Sequence, residues 1–290
     1  MQHNVSEFDF IFLSYDEPNA EELFADLINK VPWAKRVHGI KGFDNAHKMC
    51  ASKSETDFFI TVDGDNLVHD DFLTVHVDID ETMQSHAWTW SGKNIINDLI
   101  YGNGGLKLWS KKFVNSMNSH ENATAPSDAV DFCWNNNYCD LPGCYSTTVT
   151  NSTPYQAFRG GFREGVKMGL DRGVKVSNSE FINRVYYGNL QKLSVWCSIG
   201  KDVQNGEWAI YGARLGAYMC NLTDWDYTII SDYDWFNEFW NTVSTCNPVT
   251  ESVKLGADLT KMLGMTIADL DGQQSKFFKT FYTSATKARE

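Results

Sequence analysis

The chain has 290 residues, 42% of them hydrophobic and 14% aromatic, a composition that supports a sizeable core and excludes intrinsic disorder. Its formal net charge of −12 argues against a broad nonspecific nucleic-acid surface and suits a protein that binds divalent cations. The seven cysteines are odd in number and scattered, which fits a reducing compartment rather than a disulfide scaffold.

At the N-terminus, "MQHNVSEFDF" has neither a basic region nor an apolar one, and no later run is long enough for a membrane span, so a cytoplasmic location is expected. "FDFIFLSYDEPN" predicts a buried strand ending in a polar turn. In "AEELFADLINKVP", Leu23, Phe24, Leu27 and Ile28 fall at helical spacing, and Pro32 stops the helix. "AKRVHGIKG" predicts a short second strand, "NAHKMCASKSE" a helix, and "DFFITVD" a third strand. This strand–helix alternation is the pattern of a parallel α/β sheet, whose ligands sit at the carboxyl ends of the strands. "FLTVHVDID" and "AWTWSGKNI" predict further strands, and "YGNGGLKLW" a glycine-rich turn. Residues 115–155, rich in Asn, Ser, Thr and Cys, predict long loops. "PYQAFRGGFREGVKMGLDRG" predicts a helix despite its glycines, and the remainder is mainly helical.

"DFFITVDGDN" ends its strand in Asp63 and Asp65, one residue apart across Gly64. Three chemistries use such a pair. A calcium loop counted from Asp63 fails, because Leu67, Val68 and Thr74 stand where it needs two oxygen ligands and a glycine. A haloacid-dehalogenase-like phosphatase would use Asp63 as nucleophile and Asp65 for the proton. Leu67, however, stands where that motif carries Thr or Val, and a whole strand–helix–strand–helix unit precedes the pair. In the third reading, the two carboxylates hold Mn²⁺ or Mg²⁺ against the diphosphate of a nucleotide-sugar, whose negative charge grows as the glycosidic bond breaks. Hard oxygen ligands suit such a cation, and Gly64 permits the tight bend.

The order of these motifs over about the first 110 residues resembles a GT-A glycosyltransferase domain of the family-2 type. The resemblance implies an α/β fold, GT-A-like, with a mixed, mainly parallel sheet flanked by helices and a helical C-terminal extension. Residues 1–178 would form the nucleotide-sugar-binding and catalytic domain, and residues 179–290 the extension. The implied activity is metal-dependent transfer of a sugar from a nucleotide-sugar, a UDP-sugar, to a hydroxyl. "SYDEPN" resembles the family's acidic nucleotide turn and puts Ser14, Tyr15, Asp16 and Glu17 at the donor. "KGFDNAHKMC" puts Lys41, with His47 or Lys48, toward the phosphates. "YGNGGLKLW" places Gly104 and Gly105 beside the sugar and acceptor pocket. Asp63 and Asp65 would be the metal ligands, with Gly64 between them against the donor, and His120 a candidate third ligand. Glu164 would be the acceptor-side base, with Asp128 and then Asp131 behind it. The family's Glu-Asp pair and its Q-x-x-R-W signature are absent.

The aromatic- and Asn-rich texture resembles bacteriophage-encoded proteins, which implies the host cytoplasm as location and a hydroxymethylated base in phage DNA as one acceptor, with a glycan or a small molecule as the alternatives. Such an acceptor needs a basic track, for which Lys35, Arg36, Lys111, Lys112, Arg159, Arg163 and the terminal Lys276, Lys279, Lys287 and Arg289 are available, and a flipped base. A noncatalytic nucleotide-sugar-binding module is a further alternative. Trp88, Trp90 and Trp109 are expected in the core rather than as sugar platforms. Asp224, Asp226, Asp232 and Asp234 are expected as loop and cap residues. Cys133, Cys139 and Cys144 are too widely spaced for a zinc knuckle and are expected as ordinary thiols.

Overall fold

The computed structural model describes residues 1–102, 104–117, 119 and 137–287. They divide into two compact units. The first holds residues 1–94, 100–119 and 137–149, and the second holds Ile95–Leu99 and residues 150–287.

The first unit carries strands β1 (Gln2–Asn4), β2 (Asp9–Ser14), β3 (Lys35–His38), β4 (Phe58–Asp63), β5 (Asn66–Val68), β6 (His76–Asp78), β7 (Ala87–Asn94), β8 (Ile100–Tyr101), β9 (Leu106–Ser110) and β10 (Tyr138–Thr148), and helices α1 (Ala20–Lys30), α2 (Phe43–Lys53) and α3 (Lys111–Ser116). The main sheet runs β3-β2-β4-β9-β7-β10-β5, with β8 beside β7, while β1 and β6 form a separate antiparallel pair. β2 is parallel to β3 and β4, and β7 to β10. β9 opposes β4 and β7, and β5 opposes β10. The sheet is therefore mixed, as expected, with three parallel and four antiparallel pairings among the described strands.

Successive side chains of a strand point to opposite faces. Phe10 and Phe12 of β2, with Phe58, Ile60 and Val62 of β4, enter one core together with Leu23 and Leu27 of α1. Ile11 and Phe59 enter the other, with Cys50 of α2 and Phe113 of α3. Helices on both faces explain why β2 and β4 read as continuous apolar runs.

Two expectations are corrected. In "FLTVHVDID" only His76–Asp78 is strand, and Asp70–Thr74 is a 3₁₀ turn. Within the stretch expected to be loop, Tyr138–Thr148 forms β10, inserted between β7 and β5. Its register against β7 shifts between Leu141 and Cys144, where Pro142 and Gly143 stand, with Gly143 at φ 99°. A bulge is how a strand accommodates such a pair, and the pair is what hid the strand.

The second unit holds α4 (Pro154–Met168), α5 (Phe181–Arg184), α6 (Tyr187–Trp196), α7 (Gly206–Leu222), α8 (Tyr233–Val243), α9 (Pro248–Leu263) and α10 (Gly272–Lys287). The chain passes between units after Val149, so α4 groups with the helices rather than with the sheet. Thr153 caps α4 by accepting from Gln156 N, with Pro154 in the first turn. α4 and α7 approach backbone to backbone through their glycines. A Cβ on Gly161 would fall 2.0 Å from the Ala209 carbonyl oxygen, and one on Gly212 would fall 2.1 Å from that of Phe158. Gly165 and Gly216 repeat the arrangement one turn on, at 2.2 Å from the carbonyl oxygens of Ala213 and Phe162. Beside this seam Phe158 and Phe162 pack among Tyr211, Phe236, Phe239 and Trp240. Gly212→Ala should force the helices apart and destabilise the unit by about 1–3 kcal/mol, read as a lower urea midpoint. Among the described residues no helix is long and apolar enough to cross a membrane.

Candidate active site: an acidic turn over a buried lysine

β2 and β4 are parallel neighbours, with Leu13 opposite Asp63, so their carboxyl ends deliver Tyr15–Glu17 and Asp63–Asp65 to one place. Glu17 turns back on its own strand: its Oε2 accepts from Tyr15 N at 2.8 Å. Its carboxyl lies over Gly64, where an added Cβ would fall 2.6 Å from Oε2, so any side chain at 64 would displace it. Asp63 N donates to Gly105 O at 2.9 Å, and Gly104 N donates to Trp90 O at 2.8 Å. A Cβ on Gly105 would fall 2.1 Å from the Asn66 amide group. That amide donates from Nδ2 to Asp65 Oδ1 at 2.6 Å, and its oxygen accepts from Thr148 Oγ1 at 3.3 Å. Val149 N donates to Asp65 O at 2.7 Å, and Asn19 Nδ2 donates to Val149 O at 2.9 Å. The predicted Glu17, Asp63, Gly64, Asp65, Gly104 and Gly105 thus meet, held by a downstream strand that sequence reasoning left as loop.

Beneath the turn lies a residue the sequence reading missed. Lys107 of β9 is 8% exposed, and its Nζ stands 2.9 Å from Asp63 Oδ2. Burial is the largest influence and works against its charge. The carboxylate of Asp63, with Tyr138 and Asp65, outweighs it and holds the Lys107 pKa above its ordinary value. A lysine within the apolar run "LKLW" was the available signal. Glu17 is pushed up, first by burial and then by the charges of Asp16 and Asp63, which outweigh the Tyr15 N–H. The turn therefore gathers several carboxylates around one buried ammonium.

His47 lies on the same face of the sheet and corrects an expectation. It is 2% exposed, stacked on Phe43 at 3.9 Å and edge-on to Trp109 at 5.0 Å. Its Nδ1 donates to Phe43 O at 2.9 Å, while Nε2 is buried without a partner. It does not face a phosphate. Burial drives its pKa from 6.5 to about 4, against the Phe43 carbonyl and Asp63. Because the folded value is depressed, this stability is fully present above the ordinary histidine range and is lost as pH falls from about 6.5 toward about 4. The loss should reach on the order of 3 kcal/mol. His47→Phe should flatten the fall of the urea midpoint in that window; an unchanged slope would refute the assignment.

The other expected residues are placed as follows. Ser14 is buried, accepts from Arg36 Nε and contacts His38 Nδ1, both at 3.0 Å, so its hydroxyl serves the sheet rather than a nucleotide. Tyr15 and Asp16 are exposed on the turn, and Lys41 and Lys48 are exposed around the start of α2. Glu164 lies on α4 of the second unit, 4.0 Å from Lys167 Nζ. Asp128, Asp131, His120 and Cys133 lie outside the described residues. Trp88, Trp90 and Trp109 are buried in the core. Asp226 and Asp232 cap the segments that follow them, as expected. Cys139 and Cys144 are free thiols on β10.

Part of the available basic track is engaged elsewhere. Lys35 pairs with Asp9 and Glu55, Arg36 with Glu21, and Lys279 with Asp202. Lys111 donates to Ser54 O, and Arg159 stacks over Tyr233 at 4.4 Å. Among the described residues no group of three or more His, Cys, Asp or Glu is arranged to hold a metal ion. Mg²⁺-type sites commonly use one or two carboxylates and complete their shell with substrate phosphate and water. The hard-oxygen, net-negative donor set of Asp63 and Asp65 fits such a shared site.

No protein-family model matches the chain, and no curated protein matches it. Among solved structures, the chain is similar to the crystal structure of S. aureus TarS 1-349 in complex with UDP, with 11% identity and a TM-score of 0.34, covering 81% of this chain and 91% of that one. The structure of S. aureus TarS 1-349 matches with the same figures. Similarity at this level does not place the chain in a family.

Proposed function

We propose that the first unit is a glycosyltransferase domain that binds a nucleotide-sugar, a UDP-sugar, at the carboxyl ends of β2 and β4 and transfers the sugar to a hydroxyl. The observation that carries this reading is the convergence of Glu17, Asp63–Gly64–Asp65 and Gly104–Gly105 on one point. The turn would hold Mn²⁺ or Mg²⁺ through Asp65 and Asp63, and the cation would neutralise the charge that grows on the departing diphosphate. Tyr15 and Asp16 would meet the nucleoside, and Lys41 the phosphates. Gly104 and Gly105 would let the sugar approach the backbone closely. A carboxylate or the diphosphate itself would take the acceptor proton.

The test is release of nucleoside diphosphate from a panel of nucleotide-sugars with Mn²⁺, with and without hydroxymethylcytosine-containing DNA. Release that rises with the modified DNA would identify the acceptor. Release indifferent to DNA would keep the transferase and discard that acceptor. No release, joined to hydrolysis of a generic phosphate ester, would replace it with the phosphatase. Donor binding without release would leave a binding module.

A further inference from the structure

"GQQSKFFKTFYTSATK" forms α10 (Gly272–Lys287), and one side of that helix is fixed to the second unit. At its start, Asp271 N donates to Gln274 Oε1 and Gln274 N to Asp271 Oδ1. Ser275 is buried, and its Oγ accepts from Gly200 N at 3.4 Å. Lys279, also buried, pairs with Asp202 at 2.8 Å, and the Tyr282 hydroxyl donates to Asn97 O. Positions 275, 279 and 282 share one helix face, and along that line α10 is docked.

Phe277, Phe278 and Phe281 lie off that line and are 58%, 44% and 59% exposed. They touch one another. The ring centroid of Phe277 is 5.8 Å from that of Phe278 and 4.9 Å from that of Phe281, with interplanar angles of 76° and 77°. The three rings therefore make one continuous apolar patch, a feature that marks a docking surface. The charge that accompanies it has a single sign. α10 carries Lys276, Lys279 and Lys287 and no acid, in a chain of net charge −12, and Lys276 is exposed beside Phe277.

We propose that this face of α10 docks on a bilayer surface rich in anionic phospholipid, with the phenylalanines among the upper acyl carbons and Lys276 among the headgroup phosphates. Helices that lie in a membrane interface join an aromatic face to basic residues at low overall hydrophobicity. Unopposed lysines complement anionic lipid, and the negative charge carried elsewhere turns this face, rather than another, toward it. A second copy of the chain would bring the same lysines and no acid from α10 to meet them. A single-stranded nucleic acid needs open ring faces for its bases, whereas these rings close edge-on upon one another. The proposal is independent of the donor site, and its test reads no turnover.

The experiment is cosedimentation of the full chain with vesicles of phosphatidylcholine alone and of phosphatidylcholine mixed equally with phosphatidylglycerol. Wild type should sediment with the mixed vesicles, far less with phosphatidylcholine alone, and less as salt is raised. Phe277→Ser/Phe281→Ser should lower the partition coefficient by at least about tenfold. Lys276→Glu should lower it by at least about fivefold, with the apolar patch intact. All three altered side chains are exposed, so the melting temperature should stay at the wild-type value. If the serines disturb α10, Lys276→Glu still decides. Wild type that ignores the mixed vesicles overturns the proposal, as does binding that neither variant weakens. A dimer in sedimentation velocity that the serines abolish, without vesicle binding, would make the patch a contact between copies and overturn it too.

Discussion

Asp65→Asn is expected to lower nucleoside diphosphate release from the working nucleotide-sugar by at least about 100-fold, the scale lost when a site surrenders a preorganised charge opposite a developing anion. The substitution is close to isosteric. The amide oxygen of the new side chain can still accept from Asn66 Nδ2, and the bond from Val149 N runs to the backbone carbonyl of residue 65. Folding should therefore be spared and only the charge removed. A loss of turnover with an unchanged melting temperature supports the site, whereas full turnover would show that catalysis does not pass through this turn.

The largest effect on stability is expected at Arg214 of α7. This residue is 1% exposed, and each nitrogen of its guanidinium has an oxygen partner. Nε donates to Cys197 O at 2.7 Å, Nη1 to Ser252 O and Asp269 Oδ1 at 2.7 Å, and Nη2 to Ala268 O at 3.1 Å. One side chain thus ties α7 to the end of α6, to α9 and to the segment before α10. Arg214→Met leaves three carbonyls and a carboxylate without their donor, at about 3–5 kcal/mol. Lysine cannot reproduce the fork and should rescue little. Trp196, Trp208, Trp225, Trp235 and Trp240 all lie in this unit, so denaturation followed by tryptophan fluorescence reads the change directly. A shift below about 1 kcal/mol, ordinary for a surface substitution, would mean that the carbonyls find other donors.

The parts that were legible share a cause. β2 and β4 are buried on both faces and punctuated by acidic turns, so an apolar run followed by "SYDEPN" or "DGDN" marks both the element and the acidic turn at its carboxyl end. Gly104 and Gly105 were legible because glycine pairs next to a strand invite close approach. The rest depended on partners distant in sequence. β10 carries Pro142 and Gly143 in mid-strand, and no local pattern announces the bulge that admits them. Lys107 carries no local mark of its role, which depends on Asp63, 44 positions earlier. His47 was assigned to a phosphate from its place in the chain, whereas Phe43 and Trp109 enclose it. In α4 the glycines weakened the helical pattern locally because their role lies in the facing helix α7.

The tie from Thr148 and Val149 back to Asn66 and Asp65 spans more than 80 positions, which bears on how the protein is made. A nascent chain that has emerged only through β9 carries both aspartates and the buried lysine, yet lacks the strand that closes the turn from behind. Until β10 leaves the ribosome, the edge that β5 will pair with does not exist. The turn should thus acquire its final geometry only after about half of the polypeptide has been synthesised. Ribosome-bound chains halted before and after residue 149 should differ in protease protection at the Asp63–Asn66 turn while sharing the protection of β2 and β4.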